Sequence, residues 1–434
     1  MAGAHHRPAH PFMIELEEAW RLLAETVAAV SPAPANPSLP VEAALGRVLA
    51  ETVVARCDNP PFDQSAMDGI ALSAALKKPG EPLACPVVAT VAAGDVPDDA
   101  KPIGQNCVRI MTGAPIPSTC DTVVMVEDVS FTPGEPEIAH LQNELIVGRH
   151  IRRRGENIAR GEVLAPAGTR VTAPMLAALL SQGVRRVSVR RPIRVGVATT
   201  GDEVVDYRRE LRPGQIYNSN ALAVAAALSG STGTFALGPA GLGDSALELQ
   251  HLGVLPDDLA ETESALARCT DLDVVVVTGG VSMGEFDHVP RAAAQAGFQP
   301  LFHKVRMKPG KPVWFGKHSA GTLMLGLPGN PVSSLVGTLL FVQPLVRGLQ
   351  VGALTPPGFI QLPLEGDVRN GGRLPLFVPA RVVRRAAGFS VMPLTTSGSG
   401  DVTRFSFCQA LLRVLPGDAL KKGELVQVLL PFNP

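Results

Sequence analysis

Apolar side chains recur at near-helical spacing at the start of the chain, where Ile14, Leu16, Ala19, Trp20, Leu22, Leu23, Val27 and Val30 share one face over residues 12–30. The pattern predicts one amphipathic helix, and the prolines of residues 31–37 end it in a stiff linker. Residues 58–158 read differently. Short runs such as 87–92 and 122–126 alternate with Gly/Pro turns, the signature of a β-rich module. From Pro192 onward, residues 193–199, 272–278 and 323–327 read as buried strands, and residues 218–228, 289–296 and 332–345 as helices. Strands alternating with helices predict a doubly wound parallel α/β sheet. Residues 230–256 carry no clear period and read as a surface excursion. After about Thr355 the short β-like runs return, at 377–383, 388–392 and 425–430, and predict a small barrel or sandwich.

Composition narrows the function classes. A chain of 434 residues is too long for one core and implies about three domains at the usual size. With 46% hydrophobic and 18% charged residues it has enough apolar surface to fold throughout. Its 39 basic and 40 acidic residues leave a net charge of −1, so no global electrostatic hold on nucleic acid or a membrane is expected. Aromatics at 4% argue against a stacking platform for single-stranded nucleic acid. The six cysteines are scattered without a CxxC pair, and the first residues form no apolar leader, so the expected setting is a soluble, reducing cytoplasm.

Candidate chemistry collects at strand ends. The run Asp273 to Thr278 empties into Gly279-Gly280-Val281-Ser282, whose glycines allow backbone amides to face an anion. Glu285 and Asp287 follow, and beside a phosphate they would require a divalent cation. Leu327-Pro328-Gly329-Asn330-Pro331 leads into a helix, with Asn330 placed to cap, Pro331 at the first helical position and Ser333 able to add a hydroxyl. Lys304, Arg306, Lys308 and Lys311 lie between these loops on a segment that Pro and Gly keep extended. Thr199-Thr200-Gly201-Asp202-Glu203 is a further strand end with acids, and Asp257-Asp258 precedes a helix. Asp68 and Thr112 sit on turns of the β-rich part. Taken singly, each fits a ligand-free turn, cap or solvated face as well. Signatures of serine hydrolases, zincins, P-loop proteins and Rossmann dehydrogenases are missing from the sequence.

In order along the chain, Ser65-Ala-Met-Asp-Gly69, Met111-Thr-Gly-Ala-Pro115, Arg154-Gly-Glu-Asn157, Thr200-Gly-Asp-Glu203, Gly279-Gly-Val-Ser-Met-Gly284, Lys308-Pro-Gly-Lys-Pro312 and Leu327-Pro-Gly-Asn-Pro331 resemble the molybdopterin molybdenumtransferase family, that of MoeA and the gephyrin E domain. The resemblance spans about residues 12–430. It implies a multidomain α/β plus β subunit in which the helix at 12–30 packs with a molybdopterin-binding α/β domain at 181–347. The remaining parts would be an elongated linker domain from 36–57 and 159–180, a β-rich domain at 58–158 and a C-terminal β-barrel at 348–434.

The activity so implied is molybdenum insertion into adenylylated molybdopterin with release of AMP. Mg²⁺ would be held by Glu203, Asp257 and Asp287, and Lys304, Lys308 and Lys311 would neutralise phosphate and molybdate oxygens. Gly279, Gly280, Ser282, Pro328, Gly329, Asn330, Pro331 and Ser333 would cradle the cofactor, and Asp68 and Thr112 would reach the cleft from the other subunit of a homodimer. A molybdopterin adenylyltransferase and apo-molybdoenzymes are the implied partners. The alternatives are an adenylyltransferase, which would not need the β-rich and barrel parts, and a non-catalytic molybdopterin-binding scaffold. Some positions depart from the family pattern. Asn157 stands where many relatives have Asp, Ile70 where Tyr is frequent, and Arg373 and Ser399 are the weaker candidates for closing the site from the barrel.

Overall fold

The structure is a computed structural model and describes residues 13–30, 38–96, 103–229, 247–282, 287–386 and 388–430. Glu285, residues 31–37 of the proline-rich linker and residues 230–246 of the expected excursion lie outside these described residues.

The α/β unit is built on six strands: β1 (Ile193–Thr200), β2 (Leu247–Leu255), β3 (Val274–Thr278), β4 (Phe298–His303), β5 (Trp314–His318) and β6 (Leu323–Leu327), in the spatial order β2-β1-β3-β6-β5-β4. β2, β1, β3 and β6 run parallel, while β5 and β4 add antiparallel at one side. The expected all-parallel sheet is therefore mixed. A tight excursion between β4 and β5 returns the chain without a crossover helix, so the pair can only be antiparallel. The period of two is visible in β3: Val274 and Val276 join one core, and Val275 and Val277 join the other.

Helices cover both faces. On one side lie α1 (Leu16–Ala29), α2 (Asn220–Ser229) and a long helix, Pro331–Val351, while α3 (Leu259–Ala267) and α4 (Val289–Gln295) cover the other. Pro331–Val351 is long and apolar enough to cross a membrane by length and composition, yet 89% of its apolar 18-residue stretch is buried inside the protein. A π-helical turn at Thr338–Val342 interrupts it, and the carbonyl of Leu340 there accepts the Trp20 indole N–H at 2.8 Å. Together with the pairing of Ile14 with Val305, this fastens α1 to the unit.

Part of the segment expected to be an irregular excursion is the edge strand β2. It pairs with β1 throughout, but the register shifts between Val197 and Ala198, and Gly253 takes φ +90°. A bulge of this kind breaks the alternation that would have marked a strand.

In the β-rich unit, six strands assemble in the order Thr122–Met125, Gly69–Leu72, Cys107–Ile110, Leu83–Val91, Ile138–Leu141, Val129–Thr132. Ile70 is fully buried there. The two separated segments of the linker unit meet in one core, where Val41, Ala44 and Leu49 pack with Ala165, Val171 and Leu179, and Val184, Val187 and Val189 complete it.

The C-terminal unit is a five-stranded antiparallel sheet whose outer edges meet through a bridge between Leu364 and Val391, which curls it into a small barrel. Beside that closure, Glu365 accepts hydrogen bonds from Arg385 Nε at 3.0 Å and Ser390 Oγ at 2.6 Å. Arg385 first, then Ser390, hold its carboxyl down at about 2, against an ordinary value of 4.5. A depressed folded-state value contributes stability that is present above pH 4.5 and lost as pH falls toward 2. We therefore expect Glu365→Gln to lower Tm at pH 7, and the gap to wild type to close between pH 4.5 and 2. Thermal melts across that range check it, and a gap independent of pH would refute the assignment.

Candidate active site

The order β2-β1-β3 places a topological switch point between β1 and β3, because the chain leaves β1 in one direction for β2 and then crosses to β3 on the other side. Open α/β sheets bind ligands outside the carboxyl ends of strands at such points. Here that position opens into a cleft of about 990 Å³, lined by the ends of β1, β3 and β6, by the lysine loop, and by residues of the barrel unit.

Of the residues expected from sequence, Glu203, Asp257, Gly279, Gly280, Ser282, Asp287, Lys308, Lys311, Pro328, Gly329, Asn330, Pro331 and Ser333 all line this one cleft. Gly279 takes φ +99°, and a Cβ there would lie 2.5 Å from Thr200 Oγ1; Gly280 takes φ +62°, with Val289 Cγ2 at 2.9 Å. Both positions thus need glycine for the chain to turn between two strand ends. The Gly279 amide does not face an incoming anion as expected, because it donates to the Leu327 carbonyl at 2.9 Å and ties the β3 end to the β6 end.

The entry to the long helix departs from expectation in a similar way. Asn330 makes no side-chain cap; its Nδ2 donates to Ser399 Oγ at 2.9 Å, and the Val332 amide donates to the Ser399 carbonyl at 3.1 Å. Ser399 of the barrel unit therefore closes this helix end and lines the cleft, whereas Arg373 is not on its wall. The Arg373 carbonyl accepts from Arg306 instead.

The lysine loop divides. Lys308 and Lys311 are exposed on the cleft wall, and the Lys308 backbone pairs with the barrel through Pro375 O at 2.9 Å and Phe377 N at 2.7 Å. Lys304 is not on that wall. It sits at φ +75°, its amide held by Val313 and its carbonyl by Ile14, so it serves the attachment of the N-terminal segment. Of the three lysines expected at the ligand, Lys308 and Lys311 line the cleft and Lys304 does not.

The acids divide by their contacts. Asp258 caps α3 by accepting from Glu261 N at 2.9 Å, which leaves Asp257 for the cleft. Asp257 accepts from the Asp202 amide at 3.4 Å and donates its own amide to Asp202 at 3.2 Å, and the Glu203 carboxylate lies over Gly201. Among the described residues no three His, Cys, Asp or Glu side chains gather as a metal cluster. Glu203, Asp257 and Asp287 share the cleft, but they do not form a preassembled cation cage.

Asp68 and Thr112 belong together in the β-rich unit. Asp68 Oδ1 accepts from the Thr112 amide at 2.6 Å and its hydroxyl at 2.8 Å, and these bonds, the amide first, hold the Asp68 carboxyl below its ordinary value. The pair is solvent-exposed and does not line the cleft of its own chain. Asn157 bonds Asn59 and Arg152, a local role in the same unit.

Sequence reasoning missed Asn218 and Asn220, both on the cleft wall. Asn218 Nδ2 donates to Thr199 Oγ1 at 2.8 Å, and Asn220 Nδ2 donates to Gly329 O at 2.7 Å, so the two amides join the β1 end and the β6 loop. The buried oxygen of Asn220 has no partner among the described residues. The spacing Asn218-Ser219-Asn220 at a helix entry was the available signal, since a polar pair there exceeds what one cap needs.

Residues 14–183 match the MoeA N-terminal region (domain I and II), residues 196–348 a probable molybdopterin binding domain, and residues 361–430 the MoeA C-terminal region (domain IV). The molybdopterin molybdenumtransferase of Haemophilus influenzae is 36% identical over 401 residues, covering 91% of this chain and 93% of that protein. That of Bacillus subtilis is 33% identical over 400 residues, covering 90% and 88%. Among solved structures, the molybdopterin biosynthesis MoeA protein from Pyrococcus horikosii aligns with a TM-score of 0.73 at 28% identity, over 98% of this chain and all of that one. With cleft, unit order and relatives in agreement over nine-tenths of its length, the chain belongs to the molybdopterin molybdenumtransferase family.

Proposed function

We propose that this cleft receives adenylylated molybdopterin, that molybdenum from molybdate is transferred to its dithiolene, and that hydrolysis of the phosphoanhydride releases AMP. One observation carries the reading: the strand-end glycines, two lysines, the helix-entry loop and three acids, dispersed over residues 203–333, line a single cleft at the switch point. Lys308 and Lys311 supply positive charge where two anions must approach each other, a repulsion worth several kcal/mol in a cleft of reduced dielectric. Gly279, Gly280 and Gly329 let the backbone come close, and Ser333 adds a hydroxyl.

The donor set fits Mg²⁺ bound through one or two carboxylates with substrate phosphate oxygens completing the shell, the usual mode for this ion, and not a cage made by protein alone. Glu203, Asp257 and Asp287 would hold it, and it would neutralise the phosphoanhydride. Asp68 and Thr112 reach the cleft from the second subunit of a homodimer in this reading. An adenylyltransferase supplies the substrate, apo-molybdoenzymes take the product, and the setting is cytoplasmic.

The test is incubation with adenylylated molybdopterin, molybdate and Mg²⁺, following AMP release and reconstitution of an apo-molybdoenzyme. Binding without AMP release would favour a scaffold. Within that assay Asp287→Asn is expected to slow AMP release roughly tenfold or more at limiting Mg²⁺ and to recover partly in excess, because one anionic ligand is lost. Unchanged release at limiting Mg²⁺ would remove Asp287 from the cation site. A single 45.5 kDa species in sedimentation at working concentration would rule out the dimer.

A further inference from the structure

We propose that Tyr217, with Ile216 beside it, is a stacking surface for a planar heteroaromatic ring at the rim of the cleft, a specificity element for the substrate of the proposed reaction, on which it rests.

The chain has two tyrosines and two tryptophans. Trp20 and Trp314 are buried in the cores, and Tyr207 already carries the Arg208 guanidinium 5.1 Å above its ring. Tyr217 is different. It lines the cleft and is 45% exposed, Ile216 next to it lines the same cleft and is 54% exposed, and no aromatic ring contact engages Tyr217 among the described residues. The other aromatic of the cleft wall, Phe377, is 1% exposed and belongs to the core. The half-exposed ring and the aliphatic side chain beside it offer the cleft an apolar face that a planar ligand can cover.

The backbone under the ring is fixed. Ile216 and Tyr217 pair in parallel with Val204 and Val205, the Ile216 amide donates to Glu203 O at 2.9 Å, and the Asn218 amide donates to Val205 O at 2.8 Å. Asn218 and Asn220 then tie the following residues to the strand ends. The ring thus stands on the same framework that sets Glu203, within reach of the cleft but on a different element from Lys308 and Lys311. A neutral π face on a different element of the same cleft suits the uncharged end of a ligand whose phosphates lie with the lysines. The substrate has two such ends, a pterin and an adenine.

The full-length protein is titrated with AMP and, separately, with non-adenylylated molybdopterin, using wild type, Tyr217→Ala, Tyr217→Phe and Tyr217→Leu. Stacking predicts that Tyr217→Ala weakens one of the two ligands about 10- to 100-fold. Tyr217→Phe stays near wild type, Tyr217→Leu falls between, and KM for AMP release rises while kcat holds. Loss confined to AMP identifies the adenine as the stacked ring, and loss confined to molybdopterin identifies the pterin. If wild type is active and binds as expected but Tyr217→Ala and Tyr217→Leu match it for both ligands, the stacking inference falls and the proposed function stands. If wild type binds neither ligand and releases no AMP, the functional reading falls and takes the inference with it.

Discussion

Alanine at Gly279 is expected to reduce molybdenum insertion at least about 100-fold while leaving a folded protein, because displacement of reacting groups by about 1 Å can cost that much. Two effects combine at this position. The backbone sits at φ +99°, which an L side chain adopts at a cost of about 1–3 kcal/mol, and the new Cβ would lie 2.5 Å from Thr200 Oγ1. Rotation of the Thr200 hydroxyl relieves that contact but not the one with the Thr200 carbonyl oxygen at 3.2 Å, so the ends of β1 and β3 must part slightly or the Gly279 amide bond to Leu327 O must loosen, and either shifts the cleft floor. Gly183→Ala is the control, since that glycine has φ +63° with nothing within 4 Å and lies off the cleft. It should lower Tm and spare turnover. Equal losses of AMP release in the two variants, measured at matched folded fraction, would show that Gly279 matters only for backbone conformation.

The contrast between these two glycines parallels what the sequence could and could not disclose. Strands such as Val274–Thr278 are legible because four consecutive valines ending in Gly-Gly admit few other structures. The edge strand Leu247–Leu255 is not, because the shift opposite Val197 and Ala198 spoils its period. Phe298–His303 and Trp314–His318 are hidden for another reason: Pro300 and Gly316 lie inside them, and residues of that kind read as breakers. The period of residues 332–345 reveals a helix but not its π turn, where the Leu340 carbonyl accepts from Trp20, more than 300 residues away in sequence.

The same division holds in the cleft. Residue type singles out Glu203, Asp287, Lys308 and the loop at 328–331 only together with their order along the chain and the family resemblance that order carries, since each alone fits an ordinary turn, cap or solvated face; all of them line the cleft. Lys304 looks equivalent to Lys308 on that basis, and only the left-handed backbone at Lys304, fixed by its contacts with Ile14 and Val313, separates them. Amide direction was also out of reach. Gly279 and Val332 belong to loops suited to anions, yet both amides are already committed to carbonyls of the chain. Ser399 becomes a cleft residue only because the barrel unit sets it against Asn330, 69 positions away in sequence.

That separation of the lysines gives the second large effect. Lys308→Ala/Lys311→Ala should lower kcat/KM for AMP release about 10²–10³-fold or more, the range seen when one preorganised electrostatic donor is removed from a reacting centre. Folding should be nearly unaffected. Both side chains are exposed, and the contacts that hold Lys308 against the barrel are made by its backbone, which alanine keeps. Lys304→Ala should cost less than about threefold, because its side chain is not among those lining the cleft and its amide and carbonyl, which alanine keeps, make its contacts with Val313 and Ile14. The variants can also be told apart by salt. Wild-type turnover at subsaturating molybdate should fall as ionic strength rises, and the double variant should lose most of that dependence, since the charges that attract the oxyanion are gone. Measurement of AMP release against molybdate at two ionic strengths, with Tm recorded for each protein, decides the matter. If Lys304→Ala were as damaging as the double variant at equal Tm, the positive field would have to come from the whole loop and not from the two lysines that face the cleft.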